Sequence, residues 1–569
     1  MNKMNLRMTI FFLVCLGLTL AEDDIVVQLW EKKGKIRGHV LKSGKGLDHY
    51  AFQEIPYAAP PTGQNRFKEP KEPDDWKGIL NTTVNKRVCM QALSYLNVPD
   101  SMKMSEDCLF LNVYTPMKPG NGEKASLSVL FWIHGGAYFF GSGAYQYYNP
   151  KFFIDAGIVV VTINYRLGPF GFLTTADGVI PANLGLKDTI LALKWVHRNI
   201  HLFGGDSKRI TVAGQSVGAY SAGYLQLNRE LRGKIHGFIL ESGSPLSPVA
   251  IQDDPRHFAF SMGKVLDSTF KSNRSEDLLD LLMRTPAKSI SKADVPNDRY
   301  TAKVLARNII WTPTIENGDN PSAAVTKPMH KALIIGDFIQ APLLTGFCSG
   351  EFRTFLMNLT VEEIARRGGS FDQNASYIID SRLHVADNDV GIAASKYKSI
   401  YTNGTFKNDP GAFVRFLSGD TFITPVIRHA ELASKFSPVY LYQFSYQGVM
   451  DGLSYLPNVT GTDSVAHTAE LKYLFGGVEG HAGDPTDYPE SDQLTMKRML
   501  VLWTNFIKYQ NPTPNSNPLS ENIVWPRVRG DNIQYLNINH TLEILSNLKS
   551  YDVVERLLNN YMNPPLVVF

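Results

Sequence analysis

Ile210-Thr211-Val212-Ala213-Gly214-Gln215-Ser216-Val217-Gly218 is a β-branched run that breaks into a G-x-S-x-G turn, and Ala219 to Leu227 beyond it is compatible with a helix. A strand feeding a helix through such a turn lifts the serine out of the sheet edge with its hydroxyl exposed. Gly214 and Gly218 remove side chains where strand and helix come together. In a chain with 45 glycines the bare motif is a weak signal. The strand before it and the helix after it turn it into a candidate nucleophile at Ser216.

Working outward, short apolar runs rich in β-formers recur at Leu127 to Ile133, Ile158 to Ile163, Gly237 to Leu240, Pro342 to Gly346 and Val439 to Phe444. Leu186, Ile190, Leu193, Val196 and Ile200 follow helical spacing, as do Met496, Met499, Leu500, Trp503 and Phe506 before Asn511-Pro512. Strands separated by helices predict an α/β chain with a mostly parallel central sheet flanked by helices. The segment from Pro245 to Pro342, with a helical pattern in Glu276 to Arg284, reads as an insertion roofing a ligand site at the C-terminal edge of the sheet. No repeat, Gly/Ser linker or low-complexity tract divides the 569 residues, so one large domain with insertions is expected over residues 22–569.

A nucleophilic serine needs a base, an acid to orient that base, and donors for the oxyanion. His134-Gly135-Gly136-Ala137 follows the run Leu127 to Ile133, and consecutive glycines let backbone N–H groups converge on a substrate oxygen. Gly135, Gly136 and Val217 are the candidate oxyanion donors. His134 belongs to this loop and is read as holding it by hydrogen bonds rather than as the base.

The matches extend along the chain. They include Ile55-Pro56-Tyr57-Ala58 with Arg66-Phe67, Glu106-Asp107-Cys108-Leu109-Phe110-Leu111-Asn112-Val113, and Asn164-Tyr165-Arg166-Leu167-Gly168-Pro169-Phe170-Gly171-Phe172. Phe203-Gly204-Gly205-Asp206, Glu241-Ser242-Gly243-Ser244 and Trp525-Pro526 complete the series. With these segments the chain resembles the type B carboxylesterases, the group that contains carboxylesterases, cholinesterases and juvenile hormone esterases. The resemblance implies an α/β-hydrolase fold and a triad in the chain order serine, acid, histidine. Glu351, five residues after Gly346, matches the acid, and His467 heads a His-x-x-Glu segment before Phe475-Gly476 and matches the base. It further implies structural ion pairs Arg66 with Glu106 and Arg166 with Asp188, a supporting serine at Ser242, and catalysis without metal or cofactor.

Three positions depart from the family pattern: Val217 stands where alanine is usual after the nucleophile, Phe352 where glycine follows the acid, and Asp188-Thr189 where Asp-Gln is frequent. Val217 is expected to crowd the pocket, and Phe352 to press on the loop that carries Glu351. The segment between Cys89 and Cys108 holds Tyr95 but no tryptophan, which disfavours a choline ester. Gln215 resembles juvenile hormone esterases and several secreted insect esterases.

Lys3 and Arg7, the apolar stretch Met8 to Leu20, and Ala21 before Glu22-Asp23-Asp24 read as a secretory signal peptide over residues 1–21. Export fits seven N-x-S/T sequons, at Asn81, Asn273, Asn358, Asn374, Asn403, Asn458 and Asn539. Besides Cys15 in the leader, the cysteines are Cys89, Cys108 and Cys348; Cys89 with Cys108 is the natural disulfide, leaving Cys348 as a buried thiol. Removing Lys3 and Arg7 from 57 basic residues almost balances the 54 acidic ones, so neither nucleic acid nor an anionic membrane is an expected partner. Stable membrane insertion is not expected either, since no later apolar run is long enough.

The expected activity is that of a secreted serine carboxylesterase acting on small, lipophilic esters. Juvenile hormone hydrolysis is the narrower alternative. A catalytically inactive adhesion or binding relative is the alternative of another class, because this fold also serves as an interaction module.

Overall fold

Runs of branched aliphatic residues without alternation pair well only where both faces of a sheet are covered. Here they form the middle of an eleven-stranded sheet in the computed structural model, which describes residues 25–91, 98–120, 124, 126–296, 309–318, 320–476, 484–530, 532–546, 548, 550–564 and 566–568. The leader at 1–21 with Cys15, and Tyr95, lie outside the described residues.

In chain order the strands are β1 (His39–Lys42), β2 (Asp48–Pro56), β3 (Phe110–Thr115), β4 (Leu127–Ile133), β5 (Val159–Ile163) and β6 (Gly205–Gln215). They continue as β7 (Gly237–Glu241), β8 (Leu343–Cys348), β9 (Val439–Phe444), β10 (Tyr535–Ile538) and β11 (Leu542–Leu545). The central order β5, β4, β6, β7, β8, β9, β10 is parallel throughout. Antiparallel β11 closes one edge, and antiparallel β3, β2 and β1 close the other. Because the central strands run one way, the residues that leave β4, β6 and β8 emerge at the same edge. This is where ligands bind in open parallel sheets.

The helices that matter to that edge are α1 (Leu184–Asn199), α2 (Val217–Leu225), α3 (Ser275–Arg284), α4 (Pro410–Ser418), α5 (Thr424–Ser434) and α6 (Glu490–Tyr509). α1 buries Leu186, Ile190, Leu193 and Val196, the residues whose spacing marked it. α6 buries Met496, Met499, Trp503 and Phe506 and ends at Gln510, whose φ of 53° turns the chain out before Asn511-Pro512. α3 starts with Glu276 and Asp277 in its first turn, where they complement the helix dipole.

The six strands expected from sequence are β4 to β9, six of the seven parallel strands; the short β10 was not among them. The pattern did not disclose the edge strands: β2 carries His49, Gln53 and Glu54 in its buried face, which breaks the apolar signal. It also passed over the helices between β8 and β9, which include α4 and α5.

The expected ion pairs form. Arg166 grips Asp188 through Nη2–Oδ1 at 2.7 Å and Nε–Oδ2 at 2.8 Å, with both side chains almost wholly buried. That fork ties the chain after β5 to α1. Arg66 holds both carboxylate oxygens of Glu106 at 2.6 Å. Cys89 and Cys108 are disulfide-bonded, and Cys348 is a buried free thiol.

Removing one partner of a buried pair leaves an uncompensated charge, which costs about 3–5 kcal/mol. Asp188→Ala should therefore lower the free energy of unfolding by about that amount in a urea titration. A loss within 0.5 kcal/mol, roughly the scatter of ordinary surface substitutions, would mean that the pair contributes nothing.

Candidate active site

Ser216 sits between the last residue of β6 and the first of α2 with φ 58° and ψ −128°, a region that non-glycine residues seldom adopt. Neighbouring backbone enforces it. A methyl group on Gly218 would lie 2.1 Å from the Ile133 carbonyl oxygen, and one on Gly214 would lie 2.4 Å from the Gly218 carbonyl carbon. The Ser216 N–H donates to the Glu241 carbonyl at 2.9 Å, and its own carbonyl accepts from Tyr220 at 3.0 Å. The turn is thus pinned from β7 and from inside α2.

The loop after β4 lies against this turn. Gly136 has φ 109°, and a methyl group there would meet the Phe140 carbonyl oxygen at 2.0 Å. Its carbonyl accepts from the N–H groups of Phe139 and Phe140, both at 3.0 Å. Among the described residues no backbone carbonyl takes the N–H of Gly135 or Gly136. The Val217 N–H opens α2, where no intrahelical acceptor exists. His134 is tucked beneath: its Nδ1 is 2.7 Å from the Gly135 carbonyl, Tyr165 stacks on it at 4.5 Å, and the Tyr165 hydroxyl donates to its carbonyl at 2.9 Å. Burial pushes its imidazole down to about 4, so it stays neutral.

Glu351 begins a short turn, Glu351–Leu356, just past β8, and is fully buried. Its Oε1 accepts from the Cys348 N–H at 2.7 Å, and its Oε2 lies 2.5 Å from His467 Nδ1. The same turn supports the histidine loop: the His467 N–H donates to the Glu351 carbonyl at 3.2 Å, and Thr354 Oγ1 donates to the His467 carbonyl at 2.9 Å. Phe352 packs within this turn. Its N–H donates to Ser418 Oγ at 3.0 Å, and its buried ring leans on Phe355 at 5.0 Å.

The His467 ring packs against two phenyl rings, Phe422 at 4.6 Å and Phe355 at 5.5 Å, which stack on each other at 5.6 Å. Phe422 comes from a π-helical turn, Gly419–Ile423, between α4 and α5, a distortion frequent at functional sites. Sequence reasoning missed Thr354, Phe355 and Phe422, because nothing local marks a residue that acts across the fold. At the other ring nitrogen, the neighbour of His467 Nε2 is the amide nitrogen of Gln215 at 3.2 Å. Among the described residues Ser216 Oγ makes no hydrogen bond.

Ser216, Gly135, Gly136, Val217 and His467 line one cavity of about 310 Å³. Aromatic rings dominate its walls, Phe140, Tyr148, Phe352, Phe355, Phe422 and Phe475 among them. The roof differs from the expectation: of the Pro245 to Pro342 insertion, Val249 and Ile309 reach the cavity, while Phe355, Thr421 and Phe422 come from the segment between β8 and β9. Among the described residues no cluster of three or more His, Cys, Asp or Glu side chains is arranged to hold a metal ion. No described helix is long and apolar enough to cross a membrane. The sequon asparagines Asn81, Asn273, Asn358, Asn403 and Asn458 are exposed, and Asn374 and Asn539 are half-exposed.

The carboxylesterase family profile matches residues 23–554 of the chain. The chain is 29% identical to a juvenile hormone esterase of Tribolium castaneum over 90% of its length and 88% of that protein's. It is 32% identical to a carboxylic ester hydrolase of Bombus ignitus over 73% of its length and 74% of the relative's. With venom carboxylesterase-6 of Apis mellifera it shares 30% identity over 91% of both chains.

Behind Glu351 and His467 lies a second set of acids. Ser242 Oγ donates to Glu470 Oε1 at 3.2 Å, the Cys348 thiol donates to Glu470 Oε2 at 3.0 Å, and Trp503 Nε1 donates to Glu241 Oε1 at 2.6 Å. Burial, reinforced by the charge of Glu470, pushes the Glu241 carboxyl well above the usual range; burial and the charge of Glu351 raise Glu470. An acid whose folded pKa is raised keeps a proton that the unfolded chain releases. Its contribution is complete below the unfolded pKa and drains away as pH rises toward the folded one. Glu241→Gln abolishes that titration, so its stability should fall less than that of wild type between pH 5 and pH 9, roughly the range above an unperturbed glutamate. Parallel stability curves for the two proteins, measured by denaturant unfolding, would rule this out.

Proposed function

Because this chain belongs to the carboxylesterase family and is a carboxylic ester hydrolase, we propose that it works through an acyl-enzyme on Ser216, with His467 as base and Glu351 as the acid that orients it. The observation that carries this reading is the buried Glu351–His467 contact of 2.5 Å, in the same cavity as a serine held at φ 58°.

In this mechanism Glu351 accepts a hydrogen bond from the Nδ1–H of His467, which leaves the Nε2 lone pair to take the Ser216 proton as Oγ attacks the ester carbonyl. The carbonyl oxygen becomes an oxyanion, met by the N–H groups of Gly135, Gly136 and Val217. Collapse expels the alcohol, protonated by His467, and leaves the acyl-enzyme. Water then attacks, its proton passing to Nε2, and the carboxylic acid departs with Ser216 restored.

The aromatic walls favour lipophilic esters, since apolar groups leave water there with little polar surface to desolvate. Juvenile hormone hydrolysis is a narrower reading of the same site, supported by this apolar cavity and by the relative of that name. An adhesion or binding role has no such support. We also propose export with removal of residues 1–21. The apolar leader, a disulfide, a surface presentation of all seven sequons suited to glycans, and a relative named for venom are consistent with it.

Purified wild type should hydrolyse a simple aryl acetate, and Ser216→Ala should lose about 10³-fold or more of kcat while folding normally. Equal rates from the two proteins would refute Ser216 as nucleophile. Val217, buried and lining the cavity, should limit substrate bulk. In Val217→Ala the kcat/KM ratio for branched over acetyl esters should rise on the order of 10-fold, the scale of one to two methyl groups in an apolar pocket. An unchanged ratio would show that Val217 does not set the size limit.

A further inference from the structure

The geometry points to Gln215 as a positioning residue that occupies the proton-accepting atom of His467 in the ligand-free enzyme and must release it before Ser216 is activated. The inference rests on the proposed roles of Ser216 and His467. With Glu351 Oε2 at 2.5 Å, Nδ1 of the neutral imidazole carries the ring proton, so Nε2 presents a lone pair. Whatever lies within hydrogen-bond distance of that lone pair must donate. The neighbour is Gln215 Nε2 at 3.2 Å, on a side chain that is 2% exposed. Ser216 Oγ has no hydrogen bond among the described residues, so the base is engaged by the amide and not by the nucleophile.

The rest of the Gln215 carboxamide is directed to the oxyanion loop. A methyl group on Gly135 would lie 2.9 Å from Gln215 Oε1 and 2.8 Å from its backbone carbonyl oxygen. The side chain therefore bridges the base and the loop that receives the substrate oxygen. A carboxamide suits both stages of the reaction. Its N–H donates to the neutral imidazole, and once the Ser216 proton has moved to Nε2, rotation about the terminal bond offers Oε1 to the new N–H. A carboxylate at this position serves only the second stage, and a hydrocarbon serves neither.

The test is phosphonylation of Ser216 by a small organophosphonate with a chromogenic leaving group, which reports nucleophile activation with little binding energy from the reagent. Oγ attacks phosphorus, the leaving group departs with its electron pair, and the serine proton goes to His467. Gln215→Met and Gln215→Leu remove the donor while keeping comparable bulk. Rate constants are taken on the fraction of enzyme that titrates with the reagent, so only folded sites count. If Gln215 competes for the base, either variant should be phosphonylated on the order of three- to tenfold faster than wild type, the size of one net neutral hydrogen bond. A residue that merely supports the fold would slow the reaction when lost. Unchanged or slower phosphonylation in both variants overturns the proposal, as does failure of both to yield titratable enzyme, which would make Gln215 scaffold. If Ser216→Ala is still modified by the reagent and still hydrolyses esters, the reading of Ser216 itself fails. If only the Gln215 variants fail to accelerate, that reading stands and the positioning role falls.

Discussion

The close approach of α2 to the end of β4 is the constraint on which the site depends. With no room for a methyl group between Gly218 and the Ile133 carbonyl, the helix can begin only one residue past β6. Ser216 then has no option but the strained turn, and the loop Gly135-Gly136 is brought against it from the neighbouring strand. The proposed nucleophile and oxyanion donors are thus set by backbone packing between adjacent parallel strands, before any side chain is considered. Strain of this kind, on the order of 1–3 kcal/mol, persists only where surrounding structure over-determines it. Here the Ser216 N–H bond to Glu241 and the carbonyl bond from Tyr220 supply that determination.

The proposed acid and base are held by a different device. Glu351 follows β8, two strands from β6, and His467 arrives on a long connection after β9 that has no regular structure to fix it. What fixes it is a set of reciprocal bonds with the turn Glu351–Leu356: carbonyl to His467 N–H, Thr354 hydroxyl to His467 carbonyl, carboxylate to Nδ1. The Phe355 and Phe422 rings pack against the imidazole and limit its movement. Behind this pair, burial raises the carboxyls of Glu470 and Glu241, so that negative charge is suppressed there.

Legibility in the sequence followed the same division. The central strands and the elbow were readable because they are local: uninterrupted aliphatic runs, and glycines at fixed offsets from a serine. Glu351 and His467 were not readable from their surroundings, and only their order and the family pattern singled them out. The edge strands escaped because β2 buries His49, Gln53 and Glu54, polar residues of which Gln53 meets Tyr114 and Glu54 the Lys86 N–H from elsewhere in the fold. Phe422 and Thr354 escaped for the opposite reason: nothing in their own segments is unusual, and their contacts with His467 span 45 and 113 positions of chain. The Phe352 substitution looked disruptive in sequence because it adds bulk beside the acid. In the fold that bulk is turned into the aromatic wall, and Ser418 secures the backbone it sits on.

The cavity walled by rings also carries polar side chains: besides Ser216, His467 and Gln215, its described lining includes Tyr147, Thr421, Thr468 and Lys472. Recognition away from Ser216 therefore combines shape with a few polar groups. Val217 and Phe352, two of the three positions at which this chain departs from its family's pattern, line the cavity and add to that shape. Both border the cavity without lying on the proposed proton path. Gln215 is the exception, since it borders both, and a single amide there links the state of the base to the arrival of an ester at the oxyanion loop.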